Sequence, residues 1–146
     1  RDLTELAVIR DYQLTGVDSL HDEMLLGPAM SIPRLLGRNG LGFGDIDAWE
    51  IHEAFATQVL INRQCMASAA FVRERLGAGL PSGEIPLERL NAWGGSLSLG
   101  NPFAATGVRL LLTAAQRLRA SGQRYAVVST CAGGGLGAAL LLESPS

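Results

Sequence analysis

Three short segments of the sequence combine reactive or polar side chains with glycine in otherwise apolar surroundings. They are residues 51–55 (Ile-His-Glu-Ala-Phe), residues 91–107 and residues 129–135. Each segment lies where a strand or loop leads into the next element, which is where the binding and catalytic sites of α/β proteins usually form. The three segments therefore form the candidate site.

His52 follows a short apolar strand and precedes a long helix. The positive partial charge at a helix N-terminus disfavours an imidazolium, so we expect a neutral imidazole that can donate a hydrogen bond to a developing oxyanion. A purely structural histidine is the alternative at this point. Glu53 is expected to accept hydrogen bonds from backbone N–H groups at a helix N-terminus.

Cys131 ends an apolar strand and is followed by three glycines, the first of them Gly133 after Ala132. Because glycine lacks a Cβ atom, its backbone N–H group can come close to a ligand. This arrangement suits a reactive thiol beside an oxyanion hole, and a small buried hydrophobe is the alternative. Cys65 lies among apolar residues in a predicted helix, which favours a place in the core.

Asn101 precedes Pro102 at the entry to a predicted helix. It could cap that helix, or its amide could polarise a thioester carbonyl, and the sequence leaves both possibilities open. Gly133-x-Gly135-x-x-Ala138 loosely matches a dinucleotide-binding fingerprint. That mechanism needs a following helix and a second strand, yet only eleven residues follow Gly135. A nucleotide-binding oxidoreductase is an alternative that rests on this motif alone.

The composition, 47% hydrophobic and 18% charged residues, is typical of one globular α/β domain, which we assign to residues 1–146. The net charge of -2 gives no basic surface for nucleic acid or an anionic membrane, so neither is an expected partner. The two cysteines lie far apart and have neither zinc nor disulfide spacing. We expect a cytoplasmic protein without a bound metal.

The hydrophobic pattern predicts the elements that position these segments. Strands are expected at residues 3–17, 47–51, 125–130 and 136–142, with a further candidate at 87–93, and helices at 29–38, 54–76 and 104–120. The helix at 54–76 is apolar around much of its middle and should be largely buried. The order predicts a five-stranded mixed sheet, βαβαβαββ, with helices packed on it.

In this order and at these intervals, the three segments resemble the C-terminal half of the thiolase family. Residues 52–55 are similar to the motif Asn/His-Glu-Ala-Phe, residues 94–102 to Gly-Gly-x-x-x-x-Gly-His-Pro, and residues 131–134 to Cys-x-Gly-Gly. The resemblance covers nearly the whole chain. It implies a thiolase-like C-terminal domain of an acyltransferase that acts on acyl-coenzyme A thioesters.

The resemblance further implies a Claisen condensation, or its reverse, the thiolytic cleavage of a 3-oxoacyl-CoA. It assigns proton transfer at the substrate α-carbon to Cys131, and oxyanion stabilisation to His52 and to N–H groups near Cys131 and Gly133. Phe55, with the adjacent Ala54, would line the pantetheine pocket. Coenzyme A is implied as a substrate, and no cofactor is expected.

Two departures from the thiolase pattern qualify this expectation. Asn101 stands where thiolases have a histidine that activates the nucleophile, and an amide is no general base at neutral pH. The related ketoacyl-synthase III type uses Cys, His and Asn, so we hypothesise that His52 acts in place of the missing histidine. Ordinary thiolysis is expected to be impaired.

The second departure is the nucleophilic cysteine, which the family carries in its N-terminal half. We expect this chain to be silent alone and to need that half, in cis or as a separate subunit. The complete enzyme is expected to form homo-oligomers. A non-catalytic thiolase-like subunit that binds acyl-CoA is the alternative.

Overall fold

The computed structural model describes residues 4–145, and within them four strands form one mixed sheet. The strands are β1 (Val8–Gly16), β2 (Ala48–Ile51), β3 (Tyr125–Ala132) and β4 (Leu136–Glu143). Their spatial order is β1-β4-β3-β2. β4 pairs antiparallel with both β1 and β3, whereas β2 and β3 are parallel. The α/β class and the mixed sheet are confirmed, and the first residue of the predicted strand at 3–17 lies outside the described residues.

The prediction of a fifth strand at residues 87–93 is wrong for the described part of the chain. A short 3-10 helix, Leu87–Arg89, occupies this segment, and Leu90 makes only an isolated bridge to Trp49. The side chain of Asn91 then accepts from the Ile51 N–H and donates to the Ile51 carbonyl. A side-chain amide therefore occupies the free edge of β2.

Six helices accompany the sheet in the described residues. They are α1 (Leu20–Glu23), α2 (Gly27–Arg38), α3 (Ala56–Ala67), α4 (Ala69–Leu76), α5 (Ser96–Leu99) and α6 (Thr106–Ser121). The predicted helix at 54–76 is thus two helices, separated by Ser68 in an extended conformation. The Ser68 hydroxyl accepts a hydrogen bond from the Phe71 N–H and so acts as the N-cap of α4. Serine is favoured at N-caps, which explains why a new helix starts here.

The expected burial of this region is also corrected. Leu60 and Ile61 in α3 are 51% and 48% exposed, whereas the polar Asn62 is buried. The Asn62 amide accepts from the Ala29 N–H at 2.9 Å and donates to the Leu25 carbonyl at 2.9 Å. α3 therefore meets the beginning of α2 through a hydrogen-bonded polar face and leaves apolar side chains outside.

The core lies on both faces of the sheet, as expected for strands covered by helices on each side. One cluster joins Trp49, Ile51 and Leu141 to α2, and the other joins Ala126 and Val128 to α6. Side chains alternate along β3 between the two clusters because successive residues of a strand point to opposite faces.

The parallel pairing of β2 and β3 decides where the candidate site forms. The carboxyl ends of parallel strands meet at the same edge, and the His52 N–H continues the ladder to the Ser129 carbonyl at 2.8 Å. On the other side, Gly27 at the start of α2 packs against Gly137 of β4, where a Cβ on Gly27 would lie 2.5 Å from the Gly137 Cα. No helix in the described part of the chain is both long and apolar enough to cross a membrane.

Candidate active site

Five of the six predicted site residues line one cavity of about 530 Å³. They are His52, Ala54, Asn101, Cys131 and Gly133. His52 follows β2 directly, Cys131 is the second-last residue of β3, and Asn101 comes from the loop before α6. Residues separated by up to 81 positions thus face one space at the carboxyl edge of the parallel pair.

Phe55, the sixth predicted residue, lies elsewhere. It is 61% exposed and lines a neighbouring cavity of about 280 Å³ together with Met24 and Ile61. Leu25 lines both cavities, so the two spaces adjoin each other. The structure therefore places Phe55 beside the candidate site, at an apolar surface that a long ligand could follow.

His52 is buried, and its Nδ1 lies 2.9 Å from the hydroxyl oxygen of Ser96. The same hydroxyl oxygen accepts a hydrogen bond from Nη2 of Arg109 at 3.0 Å. Of these three residues only His52 lines the cavity, and Ser96 and the partly buried Arg109 support it through this hydrogen-bonded chain. We call His52, Ser96 and Arg109 together the buried wall. Burial, then the charge of Arg109, lower the pKa of His52, whereas Glu53 raises it. The lowered pKa favours the neutral imidazole that the sequence predicts, but its largest cause is desolvation. The helix N-terminus invoked from the sequence lies further along the chain, because α3 begins at Ala56.

Glu53 has the structural role that the sequence predicted, although at a different helix. Its carboxylate accepts from the Leu97 N–H at 2.9 Å, in the first turn of α5, and from the Asn91 amide at 2.7 Å. A Cβ on Gly95 would lie only 2.2 Å from a Glu53 carboxylate oxygen. Glycine at position 95 is therefore what allows Glu53 to hold α5, and with it Ser96, against His52.

Asn101 is exposed and lines the same cavity, together with Phe103 and Ala104. We call Asn101, Phe103 and Ala104 the open wall. Asn101 Oδ1 accepts from the Phe103 N–H at 3.1 Å and from the Thr106 hydroxyl at 2.7 Å. Because a backbone N–H can only donate, these bonds fix the oxygen and leave the Asn101 NH₂ group available as a donor. Asn101 is thus not the N-cap of α6, whose cap residue is Ala105, although its oxygen does cap the turn that precedes the helix.

Cys131 is buried, and burial raises the pKa of its thiol, so that it is protonated at neutral pH. The three glycines after Ala132 form the tight turn between β3 and β4, with Gly134 and Gly135 at positive φ. Cys65 packs at the margin of the larger core cluster, away from this cavity, as expected for a core residue.

The nucleotide-binding alternative fails at this turn. Residues 136–143 form β4, which pairs antiparallel with β3. A dinucleotide site needs a helix whose N-terminus faces the pyrophosphate after the glycines. The glycine cluster of this chain instead closes a hairpin.

Comparison with known proteins matches residues 3–144 to the family model described as "Thiolase, C-terminal domain". The chain belongs to the thiolase family. This thiolase domain is 47% identical over 138 residues to the "Trifunctional enzyme subunit beta, mitochondrial" of Mus musculus, covering 94% of the chain and 29% of that protein. It is 46% identical over 142 residues to the "3-ketoacyl-CoA thiolase" of Klebsiella pneumoniae, covering 97% of the chain and 32% of that protein.

The fold of this thiolase domain also matches a solved structure. The crystal structure of human mitochondrial 3-ketoacyl-CoA thiolase superposes with a TM-score of 0.78 at 33% identity, covering 98% of this chain and 32% of that one. The same enzyme in complex with CoA gives a TM-score of 0.78. The thiolase domain thus spans about a third of the length of these relatives.

Sequence reasoning missed the residues that support the site. Ser96 bonds to His52, Thr106 to Asn101, and Asn91 to Glu53 beside His52. Arg109 acts one step further away, through its hydrogen bond to Ser96. Ser96 and Asn91 lie inside a segment that the motif already marked. Arg109 left no local signal, because its contact depends on how α6 packs against α5.

Proposed function

We propose that this thiolase domain is part of an acyltransferase that cleaves a 3-oxoacyl-CoA by thiolysis, or forms one by the reverse Claisen condensation. The convergence of His52, Asn101 and Cys131 in one cavity carries the proposal. The names of the relatives, thiolases and a trifunctional enzyme subunit, support the acyl-CoA substrate class.

In the cleavage direction, the bond between C2 and C3 of the substrate breaks and its electron pair passes to C2. The resulting enolate oxygen carries negative charge and would be stabilised by donors aimed at it. The neutral imidazole of His52 and the NH₂ group of Asn101 are such donors. The Cys131 thiol gives its proton to C2. Its raised pKa means that the thiol is protonated before this step.

The acyl group must be taken up by another nucleophile. Cys65 packs against the core and does not line the cavity, which suits a structural cysteine. We propose that a cysteine in another segment or subunit completes the site. We also propose that the complete enzyme forms homo-oligomers and works in a reducing compartment such as the cytoplasm. The name of the mouse relative places that protein in mitochondria.

Asn101 is the feature that should distinguish this enzyme from an ordinary thiolase. The oxygen of the Asn101 amide already accepts hydrogen bonds from Phe103 and Thr106 of the same chain. The amide nitrogen can donate a hydrogen bond but cannot accept a proton. The expected result is weak thiolysis, with retained stabilisation of a thioester or enolate oxygen.

The test uses the full-length protein that carries this chain, with acetoacetyl-CoA and free CoA as substrates. Cys131→Ala should lower turnover by about 10²–10⁴-fold, the usual contribution of a general acid or base. Cys65→Ala is the matched control and should retain turnover. Asn101→His should raise the rate of thiolysis by restoring a basic nitrogen at the open wall.

Two results would contradict the proposal. Cleavage at ordinary thiolase rates by the natural protein would show that Asn101 does not impair thiolysis. Binding of acetoacetyl-CoA without turnover, in the natural protein and in Asn101→His alike, would favour the non-catalytic acyl-CoA-binding subunit.

A further inference from the structure

The buried wall contains a hydrogen-bonded chain that the mechanism above does not use. It runs from Arg109 in α6 through the hydroxyl of Ser96 at the start of α5 to Nδ1 of His52 after β2. Its two links measure 3.0 and 2.9 Å, and Ser96 and His52 are both buried. Residues from three separate parts of the fold thus join in one chain that ends at His52, the member that lines the cavity.

The direction of these hydrogen bonds follows from the chemistry of the first donor. A guanidinium is always protonated and can only donate, so Arg109 occupies one lone pair of the Ser96 oxygen. The Ser96 hydroxyl then has one proton to place. Within residues 4–145 the remaining partner of that hydroxyl is Nδ1 of His52, so the hydroxyl donates and Nδ1 accepts.

The opposite arrangement would cost free energy. If Nδ1 carried the proton, the Ser96 oxygen would accept from both His52 and Arg109, and the buried hydroxyl proton would face no acceptor. Leaving a buried donor unpaired costs about 1–3 kcal/mol. The neutral imidazole therefore carries its proton on Nε2, the ring nitrogen without a protein hydrogen-bond partner in the described residues.

We infer that Ser96 and Arg109 are positioning residues that hold His52 in the Nε2–H tautomer, so that His52 acts as a hydrogen-bond donor in the cavity. This inference rests on the proposed function for its catalytic meaning, and it changes one expectation. A nitrogen that already carries a proton cannot remove another, so His52 does not replace the general base that Asn101 lacks.

The tautomer can be observed without turnover, by ¹⁵N NMR of histidine-labelled full-length protein at pH 7.5. His52→Gln and His21→Gln assign the two histidines of this chain. The expected spectrum shows His52 Nε2 protonated and Nδ1 as a hydrogen-bond acceptor. A His52 ring protonated on Nδ1 would overturn the inference, whether or not the protein is an active thiolase.

Variants of Ser96 test the cause. Ser96→Ala should abolish the Nε2–H preference and lower kcat by up to about 10²-fold, the effect of misplacing a catalytic group, with a smaller change in KM. Ser96→Thr keeps the hydroxyl and should restore both. Ser98→Ala, in the same helix, is the matched control, because the Ser98 hydroxyl donates to the Gly95 carbonyl instead.

Arg109 is tested by Arg109→Met, with Arg119→Met as the control at an exposed position of the same helix. Loss of the Arg109 charge should raise the pKa of His52, on which Glu53 is the other charged group that acts. An unchanged tautomer in Ser96→Ala or in Arg109→Met would contradict the inference. Correct tautomer shifts without any turnover in the natural protein would sustain the inference and reject the proposed function.

Discussion

The buried wall and the open wall hold their hydrogen-bond donors in different ways. In the buried wall, the hydrogen bonds of Ser96 reach residues 44 and 13 positions away, whereas those of Asn101 in the open wall reach only 2 and 5 positions. His52 is 7% exposed, and Phe103 beside Asn101 is 85% exposed. The geometry of His52 therefore depends on the packing of several elements, while that of Asn101 depends on one local turn. Substitutions in the open wall should be tolerated by the fold, and substitutions in the buried wall should not.

The largest expected effect separates catalysis from stability. His52→Ala and Asn101→Ala should each lower turnover by about 10²–10³-fold, the cost of removing one oxyanion donor. Only His52→Ala should also destabilise the fold, by about 1–3 kcal/mol, because it leaves the buried Ser96 hydroxyl unpaired. Acetoacetyl-CoA turnover and urea denaturation of both variants check this. Equal losses of stability would erase the distinction between the two walls.

A pair of glycines makes the same comparison through packing. Gly95→Ala should destabilise the protein by about 1–3 kcal/mol, since its Cβ would overlap the Glu53 carboxylate that holds α5. Gly133→Ala is the matched control, because nothing lies within 4 Å of its added Cβ, and such a surface change is usually worth less than about 0.5 kcal/mol. Urea midpoints measure both. An unchanged stability of Gly95→Ala would show that Glu53 and α5 can shift to accept the added methyl group.

The pH dependence of stability provides a third comparison. Burial and Arg109 lower the pKa of folded His52 below the ordinary value of 6.5, while Glu53 opposes them. Between the lowered and the ordinary pKa the unfolded chain binds more protons, so stability rises with pH in that window. The contribution is complete above pH 6.5 and is lost as the pH falls through the lowered folded-state value.

The measurement is a series of urea unfolding curves between pH 5 and 7.5. His52→Gln should remove part of the slope in the lower half of that range. His21→Gln retains His52 and should keep that part of the slope. If His52→Gln has the same slope as the natural protein, folding does not lower the pKa of His52.

The smallest expected effect lies at the open wall. Thr106→Val removes one of the two hydrogen bonds to Asn101 Oδ1 and should lower turnover only a few-fold, in line with about 1 kcal/mol for a neutral hydrogen bond. The Phe103 N–H still fixes the amide. Thr113→Val, which removes a hydroxyl bonded to the Arg109 carbonyl, is the control and should leave turnover unchanged. A hundredfold loss in Thr106→Val would mean that the local turn alone does not orient Asn101.

Local sequence signals predicted most of the secondary structure. The apolar runs of β3 and β4, the Asn39-Gly40 stop after α2 and the glycine after α6 all depend on short-range chemistry. The two errors, the single long helix and the fifth strand, have the same cause. In each segment a polar side chain forms a hydrogen bond that the apolar pattern does not reveal. Ser68 caps a new helix where the apolar spacing continues. In the segment expected to form a fifth strand, the Asn91 side chain bonds to the edge of β2 instead.

Motif order predicted which residues would gather, since His52, Ala54, Asn101, Cys131 and Gly133 share one cavity. Their catalytic roles stay predictions. Phe55 does not line this cavity. It lies on the exposed apolar surface that continues along α3 and lines the adjoining cavity.

The sequence by itself determined the family, the positions of the strands and helices at the site, and the chemical types that face the cavity. Only the tertiary structure decided which nitrogen of His52 is engaged, what lowers the pKa of its imidazole and which atom of Asn101 is free. These properties depend on Arg109, Ser96 and Glu53, which meet the site through contacts between separate elements. Desolvation and hydrogen-bond direction arise from such contacts, and neither is encoded in the spacing of residues along the chain.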